Sequence, residues 1–231
     1  MNLDDYLQPL PLVAVLRGIT PKEIAPVADA LYIEGFRILE VPLNSPQPFE
    51  SIRRLADDYG DRCLVGAGTV VDVADVARVR DAGGHLIVMP HADVAVIREA
   101  RRLAMVCLPG VATPTEAFAA LAAGADGLKL FPAEAMPPAV LRAWRAVLPA
   151  SARVFAVGGI RSDNMTPWWN EGATGFGTGS NLYKPGADPA QRMIPGSRKR
   201  RPSQPCPIAD SRLSTPSRST APSPRPPTPC A

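Results

Sequence analysis

Short apolar runs alternate along the chain with longer stretches in which apolar residues recur at helical spacing. The apolar runs lie at 12–18, 37–43, 63–70, 85–90, 104–111, 127–132, 153–160 and 174–179. Helical periodicity covers 21–34, 47–59, 73–82, 93–102, 114–123, 138–147 and 163–171 between them. Thr20-Pro21 and Thr113-Pro114 each place a capping hydroxyl before a first-turn proline, and Gly35, Gly60, Gly83, Gly124 and Gly172 stand where helices should close. Runs that are apolar almost throughout suit strands covered on both faces, which means a parallel sheet. Eight such βα units predict an α/β fold, the closed parallel (β/α)8 TIM barrel. The rival open, doubly wound sheet needs a glycine-rich turn after its first strand, which Leu16-Arg-Gly-Ile-Thr20 lacks.

The eighth helix is the exception. A helix begins plausibly at Asp188-Pro-Ala-Gln-Arg-Met193, after which 194–231 carry 10 of the chain's 27 prolines, seven serines, seven Lys/Arg and the single acid Asp210. Such a stretch cannot bury enough apolar surface to offset its ordering entropy, so the expectation is a barrel at 1–193 and a disordered Pro/Ser/Arg tail at 194–231 in place of the eighth helix. An altered reading frame accounts for this tail better than a nucleic-acid role for Arg198-Lys-Arg-Arg201.

The tail also changes the meaning of the charge. The whole chain is +3 with a sequence pI of 8.8, but the tail alone is +6, leaving 18 basic and 21 acidic residues in a body at −3. A basic, nucleic-acid-binding body is therefore unsupported. No apolar run approaches the roughly 18 residues that span a bilayer, and Met1-Asn-Leu-Asp-Asp is acidic where a signal peptide is positive, so a soluble cytoplasmic body is expected. Cys63 and Cys107 sit in apolar runs and Cys206 and Cys230 in the tail; with only His85 and His91 and no C-x-x-C, neither a disulfide framework nor a zinc site is indicated.

Barrel enzymes build their sites at the C-terminal ends of the strands, which directs attention to the polar residues there. Lys129 lies in Gly127-Leu-Lys-Leu-Phe-Pro132, flanked on both sides by apolar residues. A lysine held in an apolar site loses proton affinity and becomes a free amine able to form a Schiff base; the alternatives are a lysine paired with a carboxylate, or one pointing outwards under a helix. Glu40, in Ile38-Leu-Glu-Val-Pro-Leu43, is either a general acid/base or the counter-ion of Lys129 or Arg17. Arg17 offers a fork for a carboxylate or phosphate, and Thr69 ends the third strand. Gly158-Gly159 and Gly175-Phe-Gly-Thr-Gly-Ser180 follow strands seven and eight, where barrels commonly bind phosphate, although glycine-rich turns need no ligand. Pro90 and His91 could line the pocket from strand four, while Trp168, Trp169 and Phe176 read as packing residues. No Asp/Glu/His set suggests a metal, and no cofactor is expected.

Together, Val13-Ala-Val-Leu-Arg-Gly18, Glu40-Val-Pro-Leu-Asn-Ser-Pro46, Gly66-Ala-Gly-Thr69, Pro109-Gly-Val-Ala-Thr-Pro-Thr-Glu116, Leu128-Lys-Leu-Phe-Pro132, Ala156-Val-Gly-Gly159 and Gly179-Ser-Asn-Leu-Tyr183 resemble the bacterial class I aldolases for 2-keto-3-deoxy-6-phospho sugar acids. The resemblance spans about 10–184 in order. It implies a trimeric barrel that cleaves the keto-acid phosphate to pyruvate and D-glyceraldehyde 3-phosphate. Lys129 would form the Schiff base and Glu40 would move the proton; Thr69 would hold the pyruvyl carboxylate, Arg17 would contact substrate, and Gly159, Gly179 and Ser180 would bind phosphate. Pro90, Phe131 and Asn44 would line the pocket. Gluconate-derived relatives typically carry arginine where Asn44 stands, so Pro42-Leu-Asn-Ser-Pro46 favours the galactonate branch of carbohydrate degradation. Three readings compete: the gluconate branch, a phosphosugar isomerase or epimerase barrel, and a truncated inactive product. Family members close the barrel with a C-terminal helix that the tail replaces here, which predicts apolar surface outside strands eight and one facing water.

Overall fold

The computed structural model describes residues 1–8 and 10–186; the expected helix at 188–193 and the tail at 194–231 lie outside the described residues. All eight predicted strands form: β1 (Leu12–Val15), β2 (Ile38–Pro42), β3 (Leu64–Gly68), β4 (Leu86–Val88), β5 in two pieces (Val106–Leu108 and Gly110–Val111), β6 (Leu128–Leu130), β7 (Val154–Val157) and β8 (Gly175–Thr178). The helices between them are α1 (Ile24–Ile33), α2 (Pro48–Tyr59), α3 (Val73–Asp81), α4 (Val94–Arg102), α5 (Pro114–Ala123), α6 (Ala139–Arg145) and α7 (Met165–Asn170). Every ladder is parallel, and β8 returns to pair with β1 through Leu12 and Phe176. Pro109, which has no N–H to give, splits β5: the first piece pairs with β4 and the second with β6. The sheet thus closes into a (β/α)8 barrel.

Strand residues alternate between two apolar layers. Ala14, Leu39, Val41, Val65, Ala67, Ile87, Cys107, Leu128, Leu130, Val154, Ala156 and Phe176 pack outwards with the helices. Val13, Ile38, Leu64, Leu86, Val88, Val106, Leu108 and Phe155 form a second cluster that fills the barrel. Leu3 and Leu7 join this inner cluster from a short 3-10 turn, Leu3–Tyr6, which plugs the N-terminal end. An ion pair between Asp4 and Arg153, at the foot of β7, fastens the plug.

Helix α5 begins on a full capping box: the Thr113 hydroxyl accepts from the Glu116 amide while Glu116 accepts from the Thr113 N–H. The expected start of α1 at Pro21 is corrected. Glu23 accepts from both the amide and the hydroxyl of Thr20, which holds a turn and delays the helix to Ile24. Gly60 closes α2 without entering the left-handed region, whereas Gly35, Gly83, Gly124 and Gly172 enter it. The outer faces of β8 and β1 do not lie bare. Phe176 is 3% exposed with its ring 6.2 Å from Trp169, Ala14 is fully buried, and Leu182 and Tyr183 are buried at the end of the described chain. Trp168 and Trp169 therefore pack, as expected, and both body cysteines are free and buried. Among the described residues no helix is long and apolar enough to cross a membrane.

Candidate active site

The alternation of inward and outward residues fixes where the two ionisable strand residues point. Lys129 stands between the outward Leu128 and Leu130, and Glu40 between the outward Leu39 and Val41, so both face into the barrel. They line one cavity at its mouth together with Val13, Val15, Val88, Leu108, Phe155, Val157 and Gly177. The outward alternative for Lys129 is thereby removed.

The cavity is apolar apart from this pair, and burial acts on both charges. Lys129 is 9% exposed, and desolvation lowers its proton affinity against the opposing pull of Glu40; Arg17 lowers it further. Glu40 is 2% exposed, and desolvation raises its pKa from 4.5 to about 7, outweighing the attraction of Lys129 and Arg17. The Glu40 Oε2 atom is buried with no hydrogen-bond partner among the described residues, which is costly unless something in the cavity meets it. Lys129 Nζ lies 4.7 Å from the centre of the Phe131 ring, whose face can stabilise a cation formed at that nitrogen. The arrangement supplies an amine whose proton affinity burial has lowered and a carboxyl group able to exchange protons near neutral pH.

Gly68 makes room for this. A Cβ at that position would lie 1.5 Å from Glu40 Oε2, so any side chain there would have to displace the carboxyl group from its present place. Gly68→Ala is expected to push Glu40 out of place, lowering stability by about 1–3 kcal/mol in thermal denaturation and reducing turnover in a steady-state assay.

The remaining sequence candidates sit at the C-terminal ends of the strands. Arg17, exposed just beyond β1, donates to Asn44 Oδ1 at 3.1 Å and bears electrostatically on both Lys129 and Glu40. Thr69, just beyond β3, holds φ of +56°, an unusual conformation for a β-branched residue and one that costs free energy. Gly159 follows β7 at φ +65°, with Glu134 above it, and its carbonyl accepts from Asn164 Nδ2. Gly179 and the exposed Ser180 follow β8; a Cβ on Gly179 would meet Val15, a cavity residue, at 3.3 Å. Pro90 backs onto Gly110, and Asn44 reaches the site through Arg17. Sequence reasoning missed the apolar lining and Gly68. Period-two alternation within the strands carried that signal, because it separates inward from outward residues. Among the described residues no group of three or more His, Cys, Asp or Glu could hold a metal ion.

A family model for aldolases, "KDPG and KHG aldolase", matches residues 3–191. The chain is 49% identical over 187 residues to a probable 2-dehydro-3-deoxy-6-phosphogalactonate aldolase of Rhizobium meliloti, covering 80% of this chain and 88% of that protein. It is 48% identical over 177 residues to the 2-dehydro-3-deoxy-6-phosphogalactonate aldolase of Escherichia coli K12, covering 77% and 86%. A solved structure described as native KDPGal superimposes with a TM-score of 0.80 at 44% identity, covering 85% of this chain and 94% of that one.

Proposed function

This chain belongs to the KDPG and KHG aldolase family, and from that premise we propose that it cleaves 2-dehydro-3-deoxy-6-phospho-D-galactonate to pyruvate and D-glyceraldehyde 3-phosphate. It is an aldolase, hence a carbon–carbon lyase, of the class I Schiff-base type. The observation that carries the residue assignment is the shared burial of Lys129 and Glu40, each shifted towards its neutral form, in one otherwise apolar cavity.

The chemistry follows from those two groups. The Lys129 amine attacks the C2 carbonyl of the keto acid, and the Glu40 carboxyl gives up its proton as the carbinolamine hydroxyl leaves as water, giving an iminium over the Phe131 ring and an ionised Glu40. Glu40 takes the proton of the C4 hydroxyl, the C3–C4 bond breaks, and its electron pair moves into the iminium to give an enamine and the aldehyde. Glu40 then returns the proton to C3, and hydrolysis releases pyruvate and the amine. Thr69 is assigned to the pyruvyl carboxylate, Arg17 to a contact with the substrate, Gly159, Gly179 and Ser180 to the phosphate, and Pro90, Phe131 and Asn44 to the pocket wall. These assignments are supported by their positions beyond β1, β3, β7 and β8, where a phosphorylated chain lying across the mouth would meet them.

Asn44 and the names of the two relatives support the galactonate epimer. Pyruvate release measured on both epimers is expected to give a kcat/KM at least about tenfold higher for the galactonate-derived acid, a difference of the size that one misplaced hydroxyl produces. A preference for the gluconate-derived acid would move the chain to the other branch. We also read the protein as a cytoplasmic homotrimer, the trimer being what the family resemblance implies. Light scattering is expected to give three times the chain mass; a monomer would remove this assignment.

A further inference from the structure

The segment that carries Glu40 continues, four and five residues later, into two side chains that grip the loop beyond β1. Asn44 Oδ1 accepts from Arg17 Nη1 at 3.1 Å, and Ser45 Oγ accepts from the next backbone amide, Gly18 N–H, at 2.9 Å. Ser45 is 7% exposed, its own amide donating to the Pro42 carbonyl at 2.9 Å, so the turn that presents both acceptors is fixed to the end of β2. Gly18 has φ of +80°, and a Cβ there would meet Pro185 Cγ at 2.7 Å, so the β1 loop is held from the other side as well.

We propose that Asn44, backed by Ser45, is a positioning residue that holds the Arg17 guanidinium over the Glu40–Lys129 pair. The inference rests on the aldolase reading. A long, exposed arginine otherwise samples many rotamers, and each hydrogen bond that fixes its fork removes part of that freedom before substrate arrives. In place, Arg17 serves two purposes. Its fork meets the anionic end of the substrate, and its charge lowers the proton affinity of both Glu40 and Lys129. The charged groups that bear on Glu40 are Arg17 from the β1 loop and Lys129 from β6; β3, paired alongside, presents Gly66 and Gly68.

Both effects have the same sign in pH. Releasing Arg17 raises the pKa of the carboxyl that must be ionised to take the hydroxyl proton, and raises that of the amine that must be neutral to attack. The acid limb of kcat/KM, which reports the free enzyme, therefore moves upward. Asn44→Ala is expected to lower kcat/KM about tenfold at pH 7, chiefly through KM, and to move the acid limb up by roughly half a pH unit. Asn44→Gln, which keeps an amide acceptor, should recover part of both changes. In an Arg17→Ala background Asn44→Ala should cost clearly less than it does alone, because the two changes disable one device and only its share of the pocket wall is left to lose.

The first control is trapping of pyruvate on Lys129 with borohydride in the unaltered protein. Its absence would overturn the aldolase reading and this inference together. Trapping that proceeds normally, with Asn44→Ala leaving the acid limb unmoved or adding its full loss to that of Arg17→Ala, would overturn the positioning role alone.

Discussion

Lys129→Ala is expected to eliminate pyruvate release, with kcat/KM falling by on the order of 10^4-fold or more, the scale on which removing a covalent nucleophile acts. Among the described residues that line the cavity no other amine is present: apart from Glu40 they are apolar or glycine. Binding of the phosphate end is expected to survive, so the loss falls on kcat rather than KM. Lys129→Met, which keeps most of the volume and discards the charge, should lose the same activity while the fold holds. Burial lowers the lysine's proton affinity below its unfolded value of 10.5, so the unfolded chain binds this proton more tightly: the penalty to folding builds as pH falls from 10.5 towards the folded pKa and is complete below it. Lys129→Met should therefore melt no lower than the unaltered protein at neutral pH. A variant that folds and still turns over at the original rate would remove Lys129 from the mechanism.

Glu40→Gln carries the second largest effect. Losing a positioned proton carrier lowers kcat by roughly 10^2- to 10^4-fold, and with a glutamine in place the rise in rate through about pH 7 should disappear, since that limb belongs to the Glu40 carboxyl. Stability should move the other way. The folded pKa, about 7, lies above the 4.5 of the free group, so the native state binds this proton more tightly than the unfolded chain does. The resulting stabilisation is complete below pH 4.5 and is lost as pH rises through 7. Glu40→Gln should then melt near the original temperature at pH 4.5 but higher at pH 8, with a gain on the order of 3 kcal/mol. Thermal scans at the two pH values measure it. A variant less stable at pH 8 would mean that Glu40 serves chiefly as the buried counter-ion of Lys129.

The barrel was legible because parallel strands covered on both faces read as unbroken apolar runs, and all eight were placed within a few residues. The same feature hid the inside from the outside. Only where a charge interrupts a run, as at Lys129 and Glu40, does the sequence mark an inward position. Gly68 carries no such mark, since its meaning comes from the Glu40 oxygen across the strand gap. The N-terminal plug was also unreadable: Leu3 and Leu7 are too few to show a period, and their partners in the barrel floor are distant in sequence. The Arg17–Asn44 contact spans 27 residues and appears only when β1 and β2 are paired.

The central claim is that Lys129 forms an imine with a 2-keto acid. The protein should be incubated with pyruvate and borohydride, digested, and the peptides weighed. The account predicts one reduced pyruvyl adduct on the peptide containing Lys129, lost in Lys129→Ala. A folded protein that turns over the phosphorylated keto acid yet yields no adduct there would contradict it.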